Sequence, residues 1–145
     1  MKLFTVGFTK KPAEKFFGML ADAGVKRVVD IRLNNTSQLA GYAKKEDLAY
    51  FLKKIADIDY THRPELAPTR DIMDAFKKKG GSWEIYEKKF FALLDQRAVE
   101  DTIPKKLLDG ACLLCSEETP QKCHRRLVAE YFREKWPEIE IVHLI

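Results

Sequence analysis

The residue types best suited to chemistry are concentrated in one short stretch of the chain. Cys115 and Glu117 follow an apolar run, and Cys123, His124 and Arg125 come a few positions later. The stretch holds two of the three cysteines and one of the three histidines. A thiol, an imidazole and a guanidinium close together can activate a nucleophile or bind an anion. The pattern therefore predicts a functional site, without identifying its reaction.

Four interpretations of this stretch stay open. In the first, Cys115 or Cys123 is a nucleophile that His124 activates. In the second, Glu117 acts as general base or nucleophile while arginines hold the ligand. The third is a metal site. In the fourth the residues are structural, because buried cysteines are common small core residues and basic side chains often pair with glutamates one helical turn away.

The metal interpretation depends on Cys112 and Cys115, which form a Cys-x-x-Cys motif upstream of Cys123 and His124. The two intervening residues are leucines within a predicted strand, so the two thiols should project from opposite faces of the sheet. The chain has no second Cys-x-x-Cys motif to complete a zinc site. We therefore predict no metal and no cofactor.

Apolar patterning indicates the elements that must position this stretch. It predicts five strands, at residues 3–8, 25–31, 58–62, 111–115 and 139–144. A loop is expected at 34–41. Helical spacing of apolar residues, together with residues that favour helix starts, predicts five helices. They lie from Pro12 to the residue before Gly24, at 47–55, at 70–79, from Ser82 onward, and from Thr119-Pro120 onward.

The order of these elements predicts an α/β fold. Strand, helix and strand in succession imply parallel strands with right-handed crossovers. We expect one three-layer domain over residues 1–145, with about five mostly parallel strands and helices on both faces. Ligands of such sheets bind beyond the carboxyl ends of the strands. The polar residues that fall at these ends are Gly7, Thr9, Asp30, Arg32, His62, Cys115 and Glu117.

An anion is the ligand that this edge of the sheet favours. The predicted helix after Thr119-Pro120 would present free N–H groups, which attract anions and lower the pKa of a nearby thiol. Arg32 and Arg125 would add positive charge. Asp30 and Arg32 could equally form a structural ion pair, and if Cys115 and Glu117 shared a longer strand they would point the same way.

Composition limits the classes of protein that need consideration. The chain has 145 residues, 46% of them hydrophobic, and a formal net charge of +4. No apolar run reaches the ~18 residues of a membrane span, and the N-terminal residues read as a strand and not as a signal peptide. An odd number of cysteines favours reduced thiols over a disulfide framework. We expect a cytoplasmic protein without a membrane partner.

Lysines recur in pairs along the chain, with one run at residues 77–79. They are interleaved with acidic residues and form no clear stripe, which is typical of a solvated surface. Nucleic acid stays open as a partner on the strength of the positive charge.

The chain resembles the bacterial and archaeal family of unknown function numbered 488. The matching segments are Thr5-Val6-Gly7, Val29-Asp30-Ile31-Arg32, residues 48–52 before Tyr60, Leu66-Ala67-Pro68-Thr69 and, most specifically, Leu113-Leu114-Cys115-Ser116-Glu117 with Cys123-His124-Arg125. The resemblance implies a compact α/β domain and a shared pocket. The pocket residues it implies are Asp30, Arg32, Cys115, Glu117, Cys123, His124 and Arg125.

Two functions follow as hypotheses. The first is an enzyme that acts on a small anionic substrate, nucleotide-like or phosphate-bearing. Cys115, Glu117, Cys123 and His124 would be catalytic, and Asp30, Arg32 and Arg125 would bind the substrate. The alternative is a non-catalytic module that binds nucleic acid or a nucleotide. The sequence predicts no oligomeric state.

Overall fold

The computed structural model describes residues 1–35 and 41–145, and five strands form its sheet. The strands are β1 (Lys2–Gly7), β2 (Arg27–Asp30), β3 (Asp59–His62), β4 (Ala111–Cys115) and β5 (Glu140–His143). The helices are α1 (Ala13–Ala23), α2 (Lys45–Ala56), α3 (Arg70–Lys77), α4 (Trp83–Arg97), α5 (Val99–Thr102), α6 (Lys105–Leu108) and α7 (His124–Lys135). Single 3-10 turns lie at Gly41–Ala43 and Pro64–Leu66.

All neighbouring strands of the sheet are parallel, in the order β3-β2-β4-β1-β5. The predicted α/β class and the five predicted strands are confirmed. Strand β4 is a continuous apolar run and is buried along its whole length, as expected of a strand covered on both faces. Residues 36–40, in the predicted loop 34–41, lie outside the described residues.

The helices divide between the two faces of the sheet. On one face, Phe16 and Leu20 of α1 pack with Leu48 and Leu52 of α2. The other face carries α4, α6 and α7, and its buried core residues include Phe90, Leu94, Leu108, Leu127 and Phe132. Successive residues of β4 alternate between these two cores, as the two-residue period of a strand requires.

This division places a crevice at the carboxyl ends of β2 and β4. The two strands are neighbours. The chain leaves β2 toward α2 on one face and leaves β4 toward α7 on the other. Neighbouring parallel strands whose connections diverge leave an opening beyond their carboxyl ends, where α/β proteins bind ligands.

One local expectation needs revision. The helix predicted from Thr119-Pro120 is wrong at its start. Pro120 instead begins a turn, in which the Cys123 N–H donates a hydrogen bond to the Pro120 carbonyl at 3.2 Å. Helix α7 begins at His124. A Thr-Pro pair favours a turn as well as a helix start, and here the loop is held by contacts from outside it. Strand β4 ends at Cys115, so Glu117 lies in that loop.

Other local signals act as predicted. Ser82 caps α4, its Oγ accepting the Ile85 N–H at 3.2 Å. Gly24 ends α1 at a φ of 76°, a left-handed conformation that glycine adopts at little cost. Within the described ranges, no helix is both long and apolar enough to cross a membrane.

We predict that Gly7→Ala destabilises the protein. A Cβ at position 7, the end of β1, would lie 1.6 Å from the Glu117 carbonyl oxygen, so the loop after β4 must move. The expected loss is about 2–3 kcal/mol of unfolding free energy, measured by urea denaturation. Gly18→Ala is the matched control. Gly18 lies within α1, and a Cβ there would meet nothing within 4 Å, so the substitution should raise the free energy of unfolding by about 0.5–1 kcal/mol. Equal effects at the two positions would contradict the prediction.

Candidate functional site

A cavity of about 200 Å³ opens at the carboxyl ends of β2 and β4. The ends of the two strands form its floor, α3 and the start of α4 form one wall, and the start of α7 forms another. Its lining includes four cationic residues, four apolar or aromatic ones and the predicted catalytic residues. They are Arg32, Arg70, Lys77 and Lys122; Met73, Phe76, Trp83 and Tyr86; and Cys115, Glu117, Cys123 and His124.

A buried thiol and imidazole face each other at this cavity. Cys115 Sγ lies 3.4 Å from His124 Nδ1. The other ring nitrogen, Nε2, lies 2.7 Å from the Ile31 carbonyl oxygen. A carbonyl only accepts hydrogen bonds, so Nε2 carries the proton and donates it. In the neutral ring, Nδ1 is then a free acceptor for the Cys115 proton.

The surroundings of Cys115 favour its thiolate. They lower the pKa of Cys115 to about 7, chiefly because the Cys123 thiol donates a hydrogen bond to its sulfur. The charge of Arg125 and the backbone N–H groups of Ser116 and Glu117 act in the same direction, and burial opposes them. Burial and the neighbouring Cys115 raise the pKa of Cys123 well above its ordinary value, so Cys123 stays protonated as the donor.

Burial also lowers the pKa of His124, which keeps the ring neutral at neutral pH. Cys115 therefore has two partners of opposite kind. Its S–H can donate to the imidazole of His124, and its thiolate can accept from the thiol of Cys123. This is the arrangement expected of a nucleophile that loses its proton to a neighbouring base.

Cys112 belongs to the opposite face of the sheet. It is packed in the core that α1 and α2 cover, and burial raises its pKa far above that of a free thiol. The expectation that Cys112 and Cys115 project to opposite faces is confirmed, and Cys112 serves as an internal control for the chemistry of the other two.

Three ligand atoms are close enough to share one metal ion. Cys115 Sγ, Cys123 Sγ and a ring nitrogen of His124 all lie within 4.8 Å of one another. Sulfur and imidazole donors suit a soft divalent ion such as Zn²⁺, and the cavity would leave a fourth position open. The predicted absence of a metal stays a prediction, which metal analysis of the purified protein decides.

Asp30 and Arg32 form a buried ion pair at the end of β2. Arg32 Nε and Nη2 donate to the two carboxylate oxygens at 2.9 and 2.8 Å, and the Arg32 backbone N–H adds a third bond at 3.1 Å. The Tyr60 hydroxyl also donates to Asp30, and the Phe8 ring lies against the guanidinium at 5.3 Å. Arg32 thus reaches the cavity as a fixed cation, and its buried Nη1 has no hydrogen-bond partner within the described residues.

Arg125 takes a position that the sequence did not indicate. Arg125 is fully buried behind the loop, where Nη1 donates to the Glu117 carbonyl at 2.7 Å. Its predicted role in anion binding stays a prediction, and its visible role is to hold the loop. The Glu117 side chain is half-exposed at the cavity and pairs with Lys77 at 2.9 Å.

The wall formed by α3 and α4 is the part of the site that sequence reasoning missed. Lys77 belongs to the lysine run that is predicted to lie on a solvated surface, and no motif marks Trp83 or Tyr86. The two aromatic rings are stacked, with centroids 4.6 Å apart and planes at 17°, and both line the cavity. The available signal was the order of elements, because α3 and α4 follow the carboxyl end of β3. His62 contacts the Arg32 carbonyl, with its Nε2 at 2.8 Å from the oxygen.

Comparison with known proteins identifies a family. Residues 12–132 match the family described as "Domain of unknown function DUF488". The match includes every candidate residue named above, from Asp30 to Arg125, and confirms the resemblance drawn from the motifs. No curated protein and no solved structure matches the chain.

We predict that Asp30→Ala costs about 3–5 kcal/mol of unfolding free energy, because it leaves the Arg32 guanidinium buried without a counter-charge. Tyr60→Phe removes only one hydrogen bond to the same carboxylate and should cost about 1 kcal/mol. Urea denaturation of both variants measures the difference. If Asp30→Ala cost no more than Tyr60→Phe, the ion pair would not be what supports this end of β2.

We also predict the pH dependence of alkylation at each cysteine. Because the thiolate is the reactive form, the rate at Cys115 with iodoacetamide should rise with pH to a plateau, with its midpoint at about 7. Cys112 should stay unreactive while the protein is folded. Cys123→Ala removes the donor to Cys115 and should move the Cys115 midpoint to higher pH. Timed alkylation with tandem mass spectrometry measures each site, and an unchanged midpoint would show that Cys123 does not stabilise the thiolate.

Proposed function

We propose that this chain, which belongs to the DUF488 family, is an enzyme that acts on a small anionic substrate with Cys115 as its nucleophile. The observation that carries the proposal is the 3.4 Å approach of Cys115 Sγ to His124 Nδ1 at the cavity. The hydrogen bond of His124 to Ile31 directs the basic nitrogen at the thiol. The lowered pKa of Cys115 adds support.

The reaction would proceed by group transfer to sulfur. His124 Nδ1 takes the Cys115 proton, and the sulfur forms a bond to an electrophilic carbon or phosphorus of the substrate. The bond from that atom to the leaving group breaks, and the leaving group takes the proton from His124. Water or a second acceptor then takes the transferred group from Cys115, which regains its thiol.

Positive charge around the cavity supports an anionic substrate. Arg32, Arg70, Lys77 and Lys122 line it. Glu117 neutralises Lys77 and Asp30 neutralises Arg32, which leaves Arg70 and Lys122, both exposed, at the entrance. The size of the cavity suits a small substrate, phosphate-bearing or nucleotide-like, and the Trp83–Tyr86 stack offers an apolar surface to a planar group.

Glu117 is the second group that could move a proton. Its carboxylate lies at the cavity, 2.9 Å from Lys77. It could activate the water that releases the transferred group from Cys115. The chemistry needs a reduced Cys115 thiol, which fits the cytoplasm, where thiols are kept reduced.

A binding module without catalysis is the second candidate function. It is favoured by the Trp83–Tyr86 stack at the cavity, since aromatic side chains bind nucleobases by stacking. The two candidates differ at Cys115. An enzyme requires that thiol to react with anionic reagents in the cavity, and a binding module does not.

Two alkylating reagents with the same leaving group test the proposal. Iodoacetate carries a carboxylate and iodoacetamide is neutral. We predict that the ratio of their rates at Cys115 is about tenfold higher in the folded protein than in urea, because the cationic cavity concentrates the anion. Millimolar inorganic phosphate should slow both reagents. Lys122→Gln should lower the ratio. Lys54→Gln is the control: Lys54 lies on α2, which covers the other face of the sheet, so its substitution should leave the ratio unchanged.

The outcomes separate the candidates. If the rate ratio is equal in the folded and the unfolded protein, the cavity does not bind anions. If Cys115 stays unreactive in the folded protein, it is not a nucleophile. Binding of phosphate or a nucleotide by a protein whose Cys115 is unreactive would favour the binding module.

A further inference from the structure

Cys123, the second thiol of the cavity, is placed where it could also form a disulfide with Cys115. Cys123 lies directly before α7 and is 2% exposed. Its sulfur lies within 4.8 Å of that of Cys115. The two residues are eight positions apart in the chain, joined by a loop without helix or strand. Bringing two thiols close together is the main entropic cost of forming a disulfide, and here the fold already holds the two sulfurs within 4.8 Å of each other.

We propose that Cys115 and Cys123 form a reversible redox pair, in which Cys115 reduces a small hydroperoxide and Cys123 resolves the product as a disulfide. The inference rests on the proposed function for one point only, that Cys115 is the reactive thiol. It adds a second activity to the cavity and assigns a role to Cys123.

The reaction balances in two steps. The Cys115 thiolate attacks the distal oxygen of a hydroperoxide ROOH, the O–O bond breaks, and the proton that left Cys115 for His124 goes to the departing alkoxide. The products are a Cys115 sulfenic acid and ROH. The Cys123 thiol then attacks the sulfur of the sulfenic acid, which forms the S–S bond and releases water. An external dithiol reduces the disulfide and completes the cycle.

The burial of the pair decides which oxidant fits. Cys115 is 4% exposed and is reached through a cavity of about 200 Å³. A hydroperoxide is small enough to enter, whereas a protein disulfide is not. Burial also shields the sulfenic acid from larger thiols, so that Cys123 is the thiol that meets it.

The architecture around the pair excludes the other pairing. Cys112 is on the opposite face of the sheet, so it cannot compete for the Cys115 sulfenic acid without unfolding. Arg125 donates to the Glu117 and Glu118 carbonyls, and the Thr9 N–H donates to the Ser116 carbonyl at 3.0 Å. These bonds hold the start of the loop in place while the sulfurs react.

Trypsin separates the two cysteines, which makes the disulfide directly visible. Cleavage after Lys106, Lys122 and Arg125 gives peptide 107–122, with Cys112 and Cys115, and peptide 123–125, with Cys123. The protein is treated with a chelator to remove any bound metal and then, folded, with one equivalent of hydrogen peroxide. We expect the two peptides to be linked, and two of the three free thiols to be lost and then restored by dithiothreitol.

Variants assign the roles. Cys112→Ser should form the same linked peptides as the unaltered protein. Cys123→Ser should form none and should accumulate a Cys115 sulfenic acid that dimedone traps. Circular dichroism of each variant confirms that it is folded, and Cys123→Ala provides a second variant if serine disturbs the helix start.

The results that overturn the inference are distinct from those that overturn the proposed function. Oxidation of Cys115 to the sulfinic acid while Cys123 stays reduced, or linkage that requires Cys112, excludes the redox pair and leaves Cys115 as a nucleophile. If Cys115 in the folded protein reacts with neither iodoacetamide nor peroxide, both the redox pair and the proposed function are excluded.

Discussion

The hydrogen bond from His124 to the Ile31 carbonyl is the interaction on which the site depends. Ile31 follows β2 directly, and its own N–H donates to Leu114 of β4 at 3.1 Å. The backbone of one residue therefore connects two strands of the sheet to the first residue of α7. The same bond fixes the tautomer of the imidazole and thereby directs its basic nitrogen at Cys115. Fold and reactivity share this single contact.

Polar groups buried around that contact explain why this end of the sheet can be both rigid and charged. Asp30 and Arg32 pair with each other, and Arg125 donates hydrogen bonds to backbone carbonyls of the loop that it holds. A buried pair of this kind contributes little net stability compared with apolar packing, but removing one member is costly. The arrangement therefore specifies one geometry of the strand ends, which a reaction centre needs.

Much of the fold follows from local sequence signals, and the shape of the site does not. The apolar run at 111–115 gives β4 with its observed bounds, because a strand buried on both faces needs no polar alternation. Thr119-Pro120 predicts the wrong start for α7, because hydrogen bonds from Arg125 and from the distant Thr9 hold the loop before it. The motif alone was enough to predict that Cys115, Cys123 and His124 lie close together. The wall of Lys77, Trp83 and Tyr86 depends on how α3 and α4 fold back over the strand ends, which no local pattern encodes.

The residue directly before α7 lacks the side-chain cap that two other helices have. Thr69 and Ser82 cap α3 and α4 with side-chain oxygens, whereas Cys123 stands at the equivalent place before α7 and makes no capping bond. A hydroxyl or carboxylate there is worth about 1 kcal/mol to a helix. The chain thus forgoes local stability where its second cavity thiol is placed, an exchange that the proposed chemistry of Cys123 would explain.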